Sequence, residues 1–303
     1  MHTKLRQSML PPKSELIIRD NGAIYHLGIK PGQLAKTIIT VGDPDRVNMV
    51  SKYFDQLEFT SQTREFVIHT GYLGHIRLSV LSTGIGTDNI DIVYNEADAL
   101  FNIMGNPEVH QTLNFIRLGT SGTVNPDIPV DAFVVSQFSL GLDNLGIFYQ
   151  RPNEAALNDM TLAWSEQLPD VPLLPYFDMA HEQLIPIFSS NLTHLGMTAS
   201  CPGFYGPQGR QLRLAPQEWF PRVFDYQYRG MSITNLEMET SAMYRLGRLL
   251  NHRSISLNVI LANRIKKSFT QRYPENVDEL IRYALNQIKK HSSFFLESDR
   301  VSG

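Results

Sequence analysis

Three apolar, β-branched runs in this chain each end at a polar turn. Residues 37–41 (Thr-Ile-Ile-Thr-Val) stop at Gly42-Asp43-Pro44. Phe115-Ile116-Arg117-Leu118 leads into Gly119-Thr120-Ser121-Gly122. Residues 256–262 deliver Asn263-Arg264. Strand-like runs also cover 131–137 and 196–200, and 66–72 and 76–81 flank Leu73-Gly74 as a hairpin. Between the strands the period changes. Ile90, Val93, Ala97 and Leu100 recur on one helical face, residues 240–250 read as a helix, and Val277, Leu280, Ile281, Ala284, Leu285 and Ile288 define a last helix. Alternation of the two periods limits the chain to the α/β class. In such sheets ligands gather beyond the carboxyl ends of strands, so the polar turns are where chemistry is expected.

The 303 residues show no internal repeat and no low-complexity linker, and a single domain over residues 25–295 is expected. Residues 140–175, rich in Pro and Asn, read as an irregular excursion. Residues 1–24 read as a flexible, polar N-terminal arm without an apolar signal core. The formal net charge of −3 gives no global pull toward nucleic acid or an anionic membrane, so any anion site must be a local basic cluster. No apolar run approaches the length that spans a bilayer. The single cysteine, Cys201, cannot form an internal disulfide and fits a reducing, cytoplasmic setting as a buried thiol.

Four segments are candidates for chemistry. In Gly42-Asp43-Pro44-Asp45-Arg46, the glycine admits a ligand close to the backbone, and the helix-start amides with Arg46 favour an anion. The same residues are also ordinary turn formers with a solvated arginine. Arg117, at the end of an apolar run, needs either an anion, which its planar fork suits, or a core carboxylate. In Glu237-Met238-Glu239, an extended backbone puts both carboxylates on one face and Met238 on the other. They could serve acid–base work or sugar hydroxyls, or one could charge the following helix start. In Phe204-Tyr205-Gly206-Pro207-Gln208-Gly209-Arg210, aromatics precede a Gln and an Arg that could read the edge of a base, or the segment could be a plain surface loop. Histidine spacing for metal, nucleotide-binding glycine loops and nucleophile elbows are all missing from the sequence.

Taken in order, Tyr25-His26-Leu27-Gly28, residues 42–47 (GDPDRV), Arg64-Glu65-Phe66, residues 82–86 (STGIG), residues 117–122, residues 204–210, Glu237-Met238-Glu239 and Asn263-Arg264 resemble the uridine phosphorylases of the nucleoside phosphorylase family. The resemblance covers roughly residues 25–290. It implies a three-layer α/β/α sandwich with a mixed, partly barrel-like central sheet, and phosphorolysis of uridine to uracil and ribose 1-phosphate in pyrimidine salvage. It gives Gly42, Arg46, Arg64, Arg117 and Thr120 to phosphate, and His26, Glu237, Met238 and Glu239 to ribose. Phe204, Gln208, Arg210 and Arg264 go to the base, with Arg210, Gln208 and Arg117 as the catalytic set. No cofactor and no metal are implied, since inorganic phosphate is a co-substrate. The implied assembly is a homodimer, or a hexamer built as a trimer of dimers, in which His26 and Arg64 reach the neighbouring subunit's site. Asn263 stands where purine-specific relatives appear in the family pattern with an aspartate, which points to a pyrimidine. Departures include Thr87-Asp88-Asn89 after Gly86, so a cation near Glu65 and Asn89 is not carried over. Ser121 and Leu236 also differ from the usual residues. The alternatives are a purine or broad-specificity phosphorylase, a nucleosidase using water, and a nucleoside-binding protein without turnover.

Overall fold

The computed structural model describes residues 10–106, 108–150 and 154–300. Its strands are β1 (Thr37–Val41), β2 (Gln56–Thr63), β3 (Phe66–Leu73), β4 (Ile76–Ser82), β5 (Asn114–Thr123), β6 (Phe133–Gly141), β7 (Tyr176–Met179), β8 (Thr193–Ser200), β9 (Gln227–Tyr228), β10 (Met231–Glu237), β11 (Arg253–Asn263) and β12 (Ser268–Phe269). The helices are α1 (Pro44–Ser51), α2 (Thr87–Asp98), α3 (Ala155–Gln167), α4 (Ile185–Phe188), α5 (Thr240–Leu249), α6 (Tyr273–Lys290) and α7 (Ser292–Arg300).

The sheet runs β12-β11-β6-β8-β10-β5-β1-β4-β3-β2, and β11 also pairs with β5. That extra pairing closes β5, β11, β6, β8 and β10 into a ring, while β1, β4, β3 and β2 extend from it as an open sheet. This is the mixed, partly barrel-like sheet. Helices α1, α4 and α6 pack together against it, α2 and α5 form a second group, and the architecture is an α/β/α sandwich. Strands β5 and β11 are almost wholly buried, which accounts for runs that read as continuously apolar rather than alternating.

The ring also opens the site. Strand β1 pairs with β5 from Thr37↔Asn114 to Thr40↔Arg117 and no further, and β10 pairs with β5 only at Leu236↔Gly122 and Asn235↔Thr123. Between those registers the neighbours diverge, and the gap opens Arg117, Thr120, Ser121 and Gly122 to a cavity while the strand stays largely buried. Gly119 to Gly122 are therefore strand residues and not the turn expected from their composition, because the β11 ladder runs alongside them to Thr123.

The segment expected as an irregular excursion contains α3. Its Leu157, Met160 and Trp164 are buried with Phe177 and Tyr226 in a second apolar cluster. Their i, i+3, i+7 spacing was obscured by flanking Pro and Asn residues, of which Pro152 and Asn153 lie outside the described residues. Within the expected arm, residues 1–9 lie outside the described residues, Ile18 bridges Ile24, and Ile24 sits in the main core. No helix among the described residues is long and apolar enough to cross a membrane.

Candidate active site

One cavity of about 610 Å³ is lined by Gly42, Arg46, Arg117, Thr120, Phe204, Gln208, Arg210, Glu237, Met238 and Glu239. Ten of the expected site residues thus meet in one space, although the chain brings them from four separate segments.

The β1–α1 turn supplies the first wall. Asp43 is the N-cap of α1, and its side chain accepts from the Asp45 amide at 3.0 Å. A helix-start amide expected to serve an anion is therefore already taken by a carboxylate of this chain. What remains for an anion is the Arg46 side chain. Arg46 is buried, donates to the Leu118 carbonyl at 3.2 Å and to the Tyr273 hydroxyl at 3.3 Å, and has no carboxylate partner among the described residues. A buried guanidinium without a counter-charge favours an anionic ligand strongly.

Arg117 differs. It is buried and pairs with Glu239 through Nη2, while its Nε lies 3.4 Å from Glu237. Its Nη1 is buried and has no hydrogen-bond partner. Of the two readings of Arg117, carboxylate partner or anion ligand, the fold makes the carboxylates themselves part of the cavity wall.

The two glutamates divide their tasks. Glu237 accepts from the Glu239 amide at 3.0 Å, from the Thr240 amide at 3.0 and 3.1 Å, and from the Ser200 hydroxyl at 2.5 Å. It thereby charges the start of α5. Glu239 instead reaches the Gly86 amide at 2.9 Å. Burial first, then the nearby Glu239, pushes the Glu237 carboxyl up to about 7, against the opposing effect of Arg117. Met238 also lines the cavity. The chain turns into α5 at Glu239, whose φ is −139° and ψ −30°.

The loop after β8 supplies the far wall. Arg210 lies over the Phe204 ring with its Cζ 3.8 Å from the centroid, and donates to the Phe204 carbonyl and the Gln208 side-chain oxygen. Gln208 is buried, and its backbone carbonyl accepts from Arg264 Nη1. Arg264 therefore stands behind Gln208 rather than in the cavity lining. Burial holds both guanidiniums below their ordinary values, and for Arg210 the neighbouring Arg264 adds to the effect. Neither has a carboxylate partner among the described residues.

Asn263 contributes differently from expectation. Its side-chain nitrogen donates to the Asn125 and Ile128 carbonyls, and its oxygen accepts from the Ile265 and Lys266 amides. The carboxamide thereby ties the turn after β11 to the loop between β5 and β6, and it does not line the cavity.

His26 and Arg64 lie outside this cavity. Arg64 is exposed at the tip of the β2–β3 hairpin with φ +54°, and its Cζ stands 5.6 Å from the Tyr25 ring centroid. Tyr25 in turn packs edge-on against His26 at 4.8 Å. The two residues expected to act across an interface thus form one surface cluster. Sequence reasoning missed Leu261, Ala262 and Phe269, which line the cavity from the β11–β12 hairpin. Apolar side chains in an apolar run carry no signal of that role. No group of His, Cys, Asp and Glu among the described residues could hold a metal ion.

A family model described as "Phosphorylase superfamily" matches residues 36–289. A uridine phosphorylase of Thermococcus kodakarensis is 29% identical over 82% of this chain and 81% of its own. A DeoD-type purine nucleoside phosphorylase of Streptococcus suis is 28% identical over 78% and 84%. The crystal structure of a Trypanosoma brucei nucleoside phosphorylase, described as showing uridine phosphorylase activity, superposes with a TM-score of 0.81 at 26% identity, covering 91% of this chain and 99% of that one.

Proposed function

The chain belongs to the phosphorylase superfamily, and we propose that within it the substrate is uridine, cleaved by inorganic phosphate to uracil and ribose 1-phosphate. It is a nucleoside phosphorylase of the pentosyltransferase type. In the reaction the N1–C1′ bond breaks, a phosphate oxygen bonds to C1′, and uracil leaves with the bonding electrons. Arg46, Arg117, Gly42 and Thr120 hold the phosphate dianion, and Arg64 of the partner subunit completes its site. Glu237, Met238 and Glu239 hold the ribose. Phosphate faces a ribosyl centre that gains positive charge, so the rate comes from orientation and electrostatics without a cofactor.

The observation that carries the base assignment is the pair Gln208 and Arg210 in the cavity wall, backed by Arg264, with no carboxylate counter-charge among the described residues. Uracil departs with negative charge spread over N1, O2 and O4. The uncompensated guanidinium of Arg210 beside it, with that of Arg264 behind Gln208, stabilises that charge as it forms, which is the differential binding that catalysis requires. Cytoplasmic pyrimidine salvage, and a homodimer or a trimer of dimers with shared sites, complete the reading.

The relatedness to a purine nucleoside phosphorylase favours a second reading, a broad or purine specificity. One assay separates them: release of free base from uridine and from inosine, each with and without phosphate. Phosphate-dependent uracil release is expected. Release without phosphate would make the protein a hydrolase, and preference for inosine would reverse the base assignment.

A further inference from the structure

Glu96 lies in the last turn of α2 and is 9% exposed. A carboxylate so placed needs strong partners. It finds them in one short segment. Its oxygens accept from the His26 amide at 3.0 and 3.1 Å, from the Leu27 amide at 2.8 Å, and stand 2.6 Å from His26 Nδ1. No lysine or arginine pairs with it among the described residues. An ionised carboxylate only accepts, so the hydrogen in the 2.6 Å contact belongs to Nδ1. The other ring nitrogen, Nε2, has no partner among the described residues, and the His26 side chain is 28% exposed.

We propose that Glu96 is a positioning residue that fixes His26 as the Nδ1–H tautomer, so that Nε2 presents a lone pair to the 5′-hydroxyl of the nucleoside bound in the partner subunit's cavity. The proposal rests on the ribose role of His26 given above and adds the group that sets its orientation and tautomer. The arrangement parallels the carboxylate behind a working imidazole elsewhere, which selects one nitrogen for the task by engaging the other. The same anchor reaches further. Tyr25 packs edge-on against the His26 ring, Arg64 lies over Tyr25, and the Arg19 guanidinium binds the Tyr25 carbonyl. Glu96 thus holds the base of a cluster that presents His26 and Arg64 together.

The test compares kcat/KM for uridine and 5′-deoxyuridine, with KM for phosphate, in the full-length wild type, His26→Ala and Glu96→Gln. A glutamine at 96 can donate to Nδ1, which moves the ring hydrogen to Nε2. The preference for uridine over 5′-deoxyuridine is expected to fall about three- to tenfold in both variants, the worth of one hydrogen bond. If His26→Ala lowers the preference and Glu96→Gln leaves it intact, the role of Glu96 is overturned while that of His26 stands. If His26→Ala leaves the preference unchanged, the ribose role of His26 fails and the inference fails with it. Should Glu96→Gln not fold, the unmodified protein decides. The ¹⁵N shifts of its neutral His26 ring are expected to report hydrogen on Nδ1, and hydrogen on Nε2 would overturn the proposal.

Discussion

The guanidinium of Arg210 lies flat enough on the Phe204 ring to bring its Cζ within 3.8 Å of the ring centroid. The stack leaves the edge of the guanidinium for hydrogen bonds, and one of these already goes to Gln208. Replacing Arg210 with Ala removes a charge-matched donor from the departing base. The expected loss in kcat/KM for uridine corresponds to about 2–4 kcal/mol, by analogy with removal of an oxyanion donor. Wild-type turnover in this variant would remove Arg210 from the base site.

Arg117 and Gly119 are linked through space. A Cβ on Gly119 would stand 2.5 Å from the Asn258 side-chain oxygen and 3.2 Å from Arg117 Nε. The glycine serves the arginine's position and not a turn. Gly119→Ala is therefore expected to displace the guanidinium and raise KM for phosphate on the order of tenfold, about one good hydrogen bond. Arg117→Lys keeps a charge between Glu237 and Glu239 but loses the planar fork, and the same rise is expected. Initial rates over a phosphate series measure both, and an unchanged phosphate dependence in the two variants would take Arg117 out of the site.

Glu237 makes stability depend on pH. Its folded value, about 7, lies above the unfolded carboxyl value, so between these the folded state holds a proton that the unfolded state has released. Stability contributed by that proton is present at low pH and is lost as pH rises toward 7. The unfolding free energy of wild type relative to Glu237→Gln, from urea titrations, is expected to decline from pH 5 to pH 8, by up to about 3 kcal/mol at the full shift. A difference that stays flat across this window would show that the carboxyl is not raised.

Much of the architecture was legible because buried strands and amphipathic helices have distinct periods. The α6 stripe from Val277 to Ile288 and the β1 run into Gly42 occur where the pattern placed them. Helix α3 was hidden by its Pro and Asn neighbours. The cavity residues were legible as types, because arginine and glutamate in apolar surroundings are costly without a purpose. Their partnerships were not. Nothing local distinguishes Glu237, which charges a helix start, from Glu239, which reaches 153 positions back to Gly86. Asn263 shows the converse, since an informative residue type was satisfied by backbone groups of its own turn and of the loop between β5 and β6. Glu96 carried no mark at all, being one acidic residue on an amphipathic helix, and its meaning comes from a contact 70 positions away.

The closed ring of β5, β11, β6, β8 and β10 has a mechanical consequence. A ring cannot peel from one side, so the walls bearing Arg117, Glu237 and Gln208 are braced around their circumference. The hairpin bearing Arg64 is instead cantilevered, attached to the sheet through β3 alone. Its arginine is held at φ +54°, a conformation that glycine adopts at lower cost. Arg64→Gly would relax the tip of this lever while removing its charge. The stiff half of the molecule thus carries the cavity, and the compliant half carries Arg64 at its tip.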